Sequence, residues 1–380
     1  MGTQNKGIEE RNVLIIGGGL SGIYAASLLV AEGKDVVLLE ARNRLGGRIL
    51  STEHTGYWVD LGPSWYWPAM NPKIGALINK MNLHGYPQFE TGATRFETRD
   101  GRVVTMEGQP MNPPGWRLCG GMNALVSGLC RTIPRNTIRL NHPVCEIKKM
   151  KDGILVTAGA LDETPLCQIK AKHIILAMPP RLAARSILFT PDLSAPLMQA
   201  MLKVSTWMAG HAKFFALFHQ APWRTATLSG QAFSYRGPLG EIHDASNDTI
   251  GPNGLTGFLS TPPLRRKEPD LMRPLILSQL EKLFGEEASR PMAFYYQDWA
   301  KEPFTATEYD LRSAHNHPEF HPPSNARHTW EGRLLFAGTE TADHLAGYLE
   351  GALQSGERAA SQCSYLMEKP LDSLKHHGAR

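Results

Sequence analysis

The strongest constraint on the fold of this chain is a glycine-rich turn between an apolar strand and an apolar helix near the N-terminus. Residues 12–16 read as a strand, Gly17-Gly-Gly-Leu-Ser-Gly22 as a tight turn, and residues up to about 32 as an Ala- and Leu-rich helix, before a second strand at 35–39. After their first residue both strands are continuously apolar, at 13–16 and 36–39, which is typical of parallel strands buried on both faces. This order predicts a βαβ unit within a doubly wound α/β sheet.

The turn also has the spacing of a dinucleotide-binding motif. Gly17, Gly19 and Gly22 give G-x-G-x-x-G, in which missing side chains let the backbone, including that of Ser21, approach a pyrophosphate. Glu40 ends the second strand, where a carboxylate can accept hydrogen bonds from a ribose diol. An unliganded tight turn is the plainer alternative, but it leaves the acid at this place unexplained.

The segment after Glu40 indicates which dinucleotide is bound. It reads Glu40-Ala-Arg-Asn-Arg-Leu-Gly-Gly-Arg48, in which Arg42 and Arg48 can neutralise diphosphate charge and Gly47 lets the backbone pass close to it. The string resembles the glycine doublet of FAD-dependent amine oxidases and their relatives, which implies FAD as the cofactor. A second G-x-G-x-x-G is not found, so we expect electrons to leave to O2 or another external acceptor.

A block near the C-terminus carries the same resemblance further. Residues 332–352, which include Gly338-Thr-Glu340 and Gly-Tyr348-Leu349, are similar to the terminal flavin-binding segment of the monoamine oxidase family. The resemblance covers most of the chain except residues 70–116 and suggests a short bacterial-type member. It implies an α/β fold, with a Rossmann-like doubly wound FAD-binding domain and an inserted α+β substrate domain. Gly338, Glu340 and Leu349 are then candidate flavin contacts.

The domain boundaries follow from the same patterns. We expect the FAD-binding domain to be discontinuous, over residues 8–75, 116–185 and 330–366, and the substrate-binding domain to cover 76–115 and 186–329. Within these, strands are expected at 137–140, 144–147, 154–157, 173–177 and 212–218, and helices at 73–82, 120–129, 273–284 and 351–366. The helical part of the substrate domain is reduced relative to larger family members.

Further site residues are implied by the resemblance. Val144 resembles the valine whose backbone meets the adenine ring, and Gly62 and Trp65 lie in an aromatic string that also contacts the cofactor. Lys213 interrupts the apolar string Ala212-Lys213-Phe-Phe-Ala-Leu-Phe218 and matches the family lysine that holds a water near the flavin and assists oxygen reduction. A lysine that reaches the surface along its aliphatic stem is the alternative.

The residues expected to face the substrate come from two segments. Trp299 and Tyr309 lie in a string that matches the family's tryptophan-to-tyrosine segment, and Tyr309 with Tyr348 would form the aromatic pair flanking the amine. Some relatives carry a flavin-linked cysteine where this chain has Glu308, so we expect FAD to be held non-covalently. Lys213, Trp299, Tyr309 and Tyr348 are therefore the catalytic candidates.

The reaction implied is oxidation of a small amine. Hydride passes from the α-carbon to flavin N5, the imine hydrolyses, and O2 is reduced to H2O2. An L-amino-acid oxidase, a flavin-dependent desaturase or dehydrogenase, and a non-catalytic FAD-binding protein are the alternatives. Residues 62–68 are aromatic where L-amino-acid oxidases place an arginine for the substrate carboxylate, which speaks against an amino-acid substrate.

Composition narrows the partners and the location. A net charge of +4 without a long basic tract implies no nucleic-acid partner. The five cysteines are scattered without a C-x-x-C pair, which argues against a disulfide framework and a metal site and favours a cytoplasmic protein. No membrane anchor is expected, because both ends of the chain are polar. A homodimer is allowed, although the sequence does not specify the oligomeric state.

Overall fold

A computed structural model describes residues 8–160, 164–247, 251–266, 268–312, 318–322 and 329–368. The strands are β1 Glu9–Ile16, β2 Val36–Leu39, β3 Ser51–His54, β4 Tyr57–Asp60, β5 Gly85–Pro87, β6 Ala93–Glu97, β7 Val103–Met106, β8 Trp116–Leu118, β9 Ile138–Arg139, β10 Val144–Lys149, β11 Ile154–Ala158, β12 Cys167–Leu176, β13 Leu188–Thr190, β14 Ala212–Phe218, β15 Leu228–Ser234, β16 Leu239–Asp244, β17 Asn253–Leu259, β18 Ala293–Asp298 and β19 Leu334–Phe336. The α-helices are α1 Leu20–Ala31, α2 Pro72–Lys80, α3 Asn123–Cys130, α4 Pro180–Ser186, α5 Ala195–Lys203, α6 Pro222–Thr225, α7 Pro269–Phe284 and α8 Leu349–Glu368. Among these residues, no helix combines the length and the apolar character that crossing a membrane requires.

The chain divides into two compact units whose segments alternate along the sequence. The first unit comprises the described residues up to Gly47, Leu125–Trp207 and the described residues after Ala314. The second comprises the described residues of Arg48–Ala124 and Met208–Ala314.

The first unit is built on a sheet with strand order β13-β10-β11-β12-β1-β2-β9, and β19 pairs with β12. β1 lies parallel between β12 and β2, while β10, β11 and β12 form an antiparallel meander. Apolar side chains such as Leu14, Ile174 and Leu334 are almost completely buried in its core. Helix α1 packs against α8, where a Cβ on Gly356 would lie 2.5 Å from the carbonyl oxygen of Ser21. The predicted Rossmann-like α/β fold is confirmed.

The second unit is built on a sheet with strand order β18-β14-β17-β16-β15-β6-β7. One face is covered by α7, because Phe214 and Ile242 of the sheet share a buried cluster with Ile276 of the helix. The opposite face of β14 carries Phe215, which packs with Tyr57 of the β3–β4 hairpin. The sheet therefore has one closed face and one face on which the hairpin and the aromatic string 62–68 are built.

Several boundaries differ from the sequence expectation. Helix α7 begins at Pro269 rather than near residue 273, because a proline at the first helical position lacks only an N–H that the helix does not use. The strand expected at 137–140 is shortened to Ile138–Arg139, because a 3₁₀ turn occupies Arg135–Thr137. The division into an FAD-binding and a substrate-binding domain stays a prediction. The compact units depart from it in residues 48–75 and 116–124, which group with the second unit, and in residues 186–207 and the described residues of 315–329, which group with the first.

Candidate cofactor and active site

The three glycines of the motif in the first unit differ in the space around them. Gly17 has φ +109°, and a Cβ there would lie 2.4 Å from the carbonyl oxygen of Ala177. A Cβ on Gly22 would lie 2.0 Å from the carbonyl oxygen of Gly17. A Cβ on Gly19, in contrast, would meet no atom within 4 Å. The first two glycines are required by packing, whereas Gly19 faces open space at the N-cap of α1.

Glu40 is buried at the end of β2 and holds the turn from the other side. Its Oε2 accepts a hydrogen bond from the Gly18 N–H at 2.7 Å, and its Oε1 accepts one from the Arg42 N–H at 2.9 Å. The Arg42 guanidinium lies 3.8 Å from the same Oε1. The carboxylate is therefore fixed in orientation, while each oxygen keeps a lone pair for a further donor such as a ribose hydroxyl.

The residues present fit a dinucleotide. The Gly19 N-cap has no side-chain cap of its own, so the first N–H groups of α1 point toward the open space beside Gly19. Gly47, with φ +60°, closes one side of that space, since a Cβ there would lie 3.2 Å from the Cα of Gly19. A cradle of glycine backbone, a helix N-terminus and a fixed carboxylate suit the diphosphate and the ribose of FAD.

Ser21 and the C-terminal block are joined inside the first unit. The Ser21 Oγ accepts a hydrogen bond from the Gly338 N–H at 2.9 Å and lies 3.3 Å from the Ser355 Oγ. Gly338 has φ +97°, a conformation that favours glycine. The hydroxyl of Ser21 thus fixes the C-terminal segment beside the glycine-rich turn, a role that the motif alone does not indicate.

Glu340 and Tyr348 lie next to a tryptophan that the sequence analysis missed. The Glu340 side chain is fully buried and accepts a hydrogen bond from the Trp207 N–H at 3.2 Å. The Trp207 ring lies 6.3 Å from the ring of Tyr348, and a Cβ on Gly347 would lie 2.8 Å from its Cγ. Trp207 therefore sets the position of Tyr348, and Leu349 follows as the first residue of α8. No sequence motif around Trp207 predicts this contact.

Val144 begins β10 at an irregular point of the sheet. It pairs with Ala158, and the register shifts before the next pair, Glu146 with Thr157. A bulge leaves backbone groups outside the ladder, which suits the expected contact of the Val144 backbone with a base.

Lys213 is the central residue of the second unit. It lies in β14 with only 2% of its surface exposed. Its Nζ donates a hydrogen bond to the carbonyl oxygen of Gly62 at 2.7 Å and another to the Oγ of Ser64. Gly62 has no room for a side chain, because a Cβ would lie 2.0 Å from the carbonyl oxygen of Arg48. The lysine does not reach the surface along its stem, so the alternative interpretation is wrong.

Burial controls the charge of Lys213. Desolvation lowers its pKa to about 7, against the pull of the Asp60 carboxylate and with a further contribution from the Arg117 cation. Burial also raises the pKa of Asp60, although the Ser51 hydroxyl donates to it. The Asp60 carboxylate raises the pKa of Lys213 and burial lowers it, and the effect of burial is the larger. Near neutral pH the amino group is thus present in both its charged and its neutral form.

Trp65 covers Lys213 and is fixed by two buried polar side chains. Its ring centroid lies 5.8 Å from the Lys213 Nζ. The Trp65 Nε1 and the Arg117 Nε both donate to the Gln88 Oε1 at 2.7 Å, and the Arg117 guanidinium lies 5.0 Å from the Trp65 centroid. Gln88 and Arg117 were missed from the sequence, because neither belongs to a recognisable motif.

The strand registers place Lys213 in a row that crosses the sheet. Lys213 of β14 pairs with Phe258 of β17, Phe258 with Glu241 of β16, Glu241 with Phe233 of β15, and Phe233 with Phe96 of β6. Directly paired residues point to the same face of a sheet. This row therefore lies on the face opposite α7, and it contains one cation, one carboxylate and three aromatic rings.

Glu241 is the carboxylate of this row. The His243 Nε2 lies 2.6 Å from its Oε1. Burial raises the pKa of Glu241, but the hydrogen bond and charge of His243 and the charge of His211 lower it overall. With 43% of its side chain exposed, Glu241 offers a negative charge on the face that carries Lys213.

Trp299 and Tyr309 also belong to the second unit. Trp299 is buried, and its Nε1 donates to the carbonyl oxygen of Leu61 at 3.0 Å, one residue before Gly62. Tyr309 has 48% of its surface exposed. Tyr348 belongs to the first unit, so the aromatic pair Tyr309 and Tyr348 stays a prediction.

Comparison with known protein families gives two matches. Residues 115–364 match the model of the family described as flavin containing amine oxidoreductase. Residues 15–81 match the model described as NAD(P)-binding Rossmann-like domain. The first match spans well over half of the chain and includes β14, Trp299, Tyr309 and the C-terminal block.

Individual proteins to which the chain is similar also carry amine-oxidase names. The chain is 24% identical to putrescine oxidase from Kocuria rosea, over 93% of this chain and 95% of that protein. It is also 24% identical to amine oxidase [flavin-containing] B from Homo sapiens, over 96% of this chain and 88% of that protein. Its fold is similar to that of cyclohexylamine oxidase from Brevibacterium oxydans, with a TM-score of 0.79 at 19% identity, over 94% of this chain and 100% of that chain.

Proposed function

The chain belongs to the flavin-containing amine oxidoreductase family and is an FAD-dependent amine oxidase, and we propose that it oxidises a small amine at the carbon next to nitrogen with O2 as electron acceptor. FAD, when bound, would supply the acceptor for a hydride from that carbon and pass two electrons to O2, which with two protons would give H2O2, while water would hydrolyse the imine. The protein contributes binding, orientation, exclusion of water and control of charge. The observation that carries the proposal is the buried Lys213, held by Gly62 and Ser64 beneath Trp65.

Lys213 supplies a positive charge and a proton donor in a site with little water. Trp65 and Phe258 lie with their ring centroids 5.8 Å and 5.7 Å from its Nζ, and they exclude solvent from the amino group. Negative charge develops on oxygen as O2 is reduced, and a fixed cation in a dry site stabilises such charge. Asp60 supports the charged form of Lys213, since its carboxylate raises the lysine pKa against the effect of burial.

Glu241 supports an amine as the substrate. Most amines are cations at neutral pH, and the Glu241 carboxylate, with its lowered pKa, lies two strands from Lys213 on the same sheet face. Arg117 is not available to hold a substrate carboxylate, because it is 3% exposed and donates to Gln88 and to the Asp244 carbonyl. An L-amino-acid oxidase would need a cation that is available to bind the carboxylate of its substrate.

The remaining site residues are assigned by function. We propose that Tyr309 and Tyr348 flank the amine and that Trp299 supports the segment before Gly62. Arg42, Arg48, Gly47, Gly19 and Glu40 are proposed to hold the diphosphate and ribose, with the Ser21, Val144, Gly338, Glu340 and Leu349 segments around the rest of FAD. Glu308 is exposed where a cysteine would attach flavin, so the cofactor is held non-covalently.

The proposal also includes a cellular compartment and an oligomeric state. All five cysteines carry free thiols, which supports a reducing compartment such as the cytoplasm. A homodimer remains the proposed assembly, and sedimentation of the purified protein tests it.

The direct test mixes the holoenzyme anaerobically with a panel of amines and follows flavin absorbance. Bleaching by amines, followed by recovery of colour and formation of H2O2 when O2 is admitted, is the expected result. Product analysis distinguishes the alternatives: an unsaturated product without peroxide would indicate a desaturase, and bleaching by α-amino acids alone would indicate an amino-acid oxidase. If no amine bleaches the flavin, the proposed function is wrong.

A further inference from the structure

Gln88 is a buried amide of the second unit whose side chain makes hydrogen bonds in two directions. Its Oε1 accepts from the Trp65 Nε1 and from the Arg117 Nε, both at 2.7 Å. Its Nε2 donates to the carbonyl oxygens of Phe89 at 2.9 Å and of Asp244 at 2.7 Å. These bonds use the full capacity of an amide side chain, which is only 8% exposed.

The arrangement around Gln88 requires an amide. A glutamate would turn a second oxygen toward the two carbonyl groups that now accept from Nε2, and an ionised carboxylate cannot donate. A methionine would fill the space but would leave the Trp65 indole N–H without this acceptor, which is unfavourable for a buried donor. The hydrogen bonds therefore fix the orientation of Gln88 and, through it, the orientation of the Trp65 ring.

The groups that hold Gln88 are themselves fixed. The Asp244 side chain is buried and accepts from the Trp223 Nε1 at 2.6 Å and from the Arg224 Nε at 2.7 Å. Arg117, only 3% exposed, also donates from its second terminal nitrogen to the Asp244 carbonyl oxygen at 3.2 Å. Gln88 thus connects a rigid part of the second unit to the Trp65 ring.

The Trp65 ring limits the access of water to Lys213. The Lys213 Nζ lies 5.8 Å from the centroid of Trp65 and 5.7 Å from that of Phe258. Burial is the main reason why the pKa of Lys213 is lowered to about 7. If the Trp65 ring moved away, water would return to the amino group and its pKa would rise toward the ordinary value.

Other ionisable groups also lie near Lys213. The Asp60 carboxylate raises its pKa, and the Arg117 cation lowers it. The titratable side chains on the remaining elements around Lys213 and its two aromatic neighbours are His211, Glu241 and His243. Loss of Gln88 would free both Trp65 and Arg117, and each change raises the pKa of Lys213.

We propose that Gln88 is a positioning residue for the reaction with O2: it holds the Trp65 ring over Lys213, excludes water from the ammonium group and so sets the pH range in which Lys213 assists the reduction of O2. This inference rests on the proposed function, from which it takes the role of Lys213. Gln88 lies within residues 70–116, which the resemblance to the monoamine oxidase family does not cover, so the family pattern does not predict it.

Direct titration of Lys213 tests the inference without turnover. Oxidised holoenzyme is labelled with carbon-13 at the lysine Cε, and the nuclear magnetic resonance signal of Lys213 is identified by its loss in Lys213→Met. Gln88→Met is expected to raise the midpoint of this signal by about one pH unit or more, because water regains access to the amino group. Trp65→Phe removes the N–H that Gln88 accepts and should shift the midpoint in the same direction.

The pH dependence of reoxidation should move with this midpoint. Photochemically reduced holoenzyme is mixed with O2 in a stopped-flow instrument from pH 5.5 to 10, so that no amine is needed. In the wild type the rate is expected to fall as the pH rises through about 7. In Gln88→Met the fall should occur about one pH unit higher, and the rate at low pH should be lower, because a hydrated cation stabilises negative charge on oxygen less.

Gln279→Met is the matched control. Gln279 is also a buried amide of the second unit, and it accepts from the Leu239 N–H at 2.7 Å and donates to the Leu239 carbonyl oxygen at 3.0 Å. It lies in α7, which covers the sheet face opposite Lys213. Gln279→Met should lower Tm about as much as Gln88→Met does, while the midpoint of Lys213 and the pH dependence of reoxidation stay unchanged.

An unchanged Lys213 midpoint in either folded variant, Gln88→Met or Trp65→Phe, overturns the inference. An equal shift in Gln279→Met also overturns it, because the cause would then be a general loosening of the second unit. In the double variant the two shifts should not add, and full additivity would show that Gln88 does not act through Trp65. If no amine bleaches the flavin, the proposed function fails, and the titration of Lys213 still decides the role of Gln88.

Discussion

The Lys213 Nζ donates a hydrogen bond of 2.7 Å to the carbonyl oxygen of Gly62, and this contact joins an apolar strand to a loop 151 residues earlier in the chain. Gly62 must be glycine because Arg48 occupies the space of its side chain. The loop can therefore pass close enough to Lys213 to accept a hydrogen bond from it, and Ser64 accepts a second hydrogen bond from the same amino group. Both acceptors are neutral, so neither of these two hydrogen bonds is an ion pair.

Lys213→Met is expected to slow reoxidation of the flavin by O2 roughly tenfold or more, with less than threefold effect on its reduction by amine. The methionine keeps the apolar stem and removes the charge, so the loss reports on the ammonium group. Stopped-flow absorbance measures both half-reactions. Lys80→Met, on the exposed end of α2, is the control, and equal slowing of the two half-reactions in Lys213→Met would contradict the assigned role.

The pH dependence of reoxidation should follow the titration of Lys213. Its pKa is lowered to about 7 by burial, so the cation predominates below that pH and the neutral amine above it. Because the cation stabilises negative charge on oxygen, the rate of reoxidation is expected to fall as the pH rises through about 7. Rates collected from pH 5.5 to 9 test this. An identical inflection in Lys213→Met would show that another group is responsible.

Two glycines of the first unit should respond differently to the same substitution. A Cβ on Gly22 would lie 2.0 Å from the Gly17 carbonyl oxygen, so Gly22→Ala is expected to lower the free energy of unfolding by about 2 kcal/mol or more. A Cβ on Gly19 meets no protein atom within 4 Å. Gly19→Ala should cost the apoprotein no more than about 1 kcal/mol, because alanine is a poorer N-cap than glycine, while weakening FAD binding roughly tenfold.

Thermal unfolding of the apoproteins and fluorescence titration with FAD measure these two effects. Full FAD affinity in Gly19→Ala would place the diphosphate elsewhere and remove the basis for the proposed cradle.

Glu241→Gln is expected to raise KM for cationic amines about threefold to tenfold with little change in kcat. The reason is that the carboxylate attracts the substrate without touching the reacting atoms. The effect should shrink as salt is added, since a partly exposed charge is screened. Glu287→Gln, on an exposed carboxylate after α7, serves as the control. A fall in kcat with unchanged KM would mean that Glu241 acts in the reaction itself.

The proposed pairing of Tyr309 and Tyr348 is accessible to a double-mutant cycle. If both rings flank one substrate, the effects of Tyr309→Ala and Tyr348→Ala on kcat/KM should not add, with a coupling energy of about 1 kcal/mol. Tyr309→Ala combined with Tyr365→Ala, an exposed residue of α8, should be additive. If the effects of Tyr309→Ala and Tyr348→Ala on kcat/KM simply add, the two rings do not flank one substrate.

Much of the fold and the cofactor cradle could be predicted from the sequence, because each depends on residues close together in the chain. The order of strand, glycine turn, helix and Glu40 specifies a βαβ unit whose parts lie within about thirty residues. The apolar run around Lys213 likewise predicts a buried strand with one polar side chain. Residues close together in the sequence are sufficient to specify the βαβ unit and the buried strand.

Only the tertiary structure placed Glu241, Phe233 and Phe96 on the face that carries Lys213, and only the packing of distant segments showed why Gly62 lacks a side chain. A shift of one residue in strand pairing would turn each of these side chains to the opposite face. Phe96 pairs with Phe233 across more than a hundred residues of sequence, and the register of such a distant pair is set by the packing of the sheet rather than by a local turn.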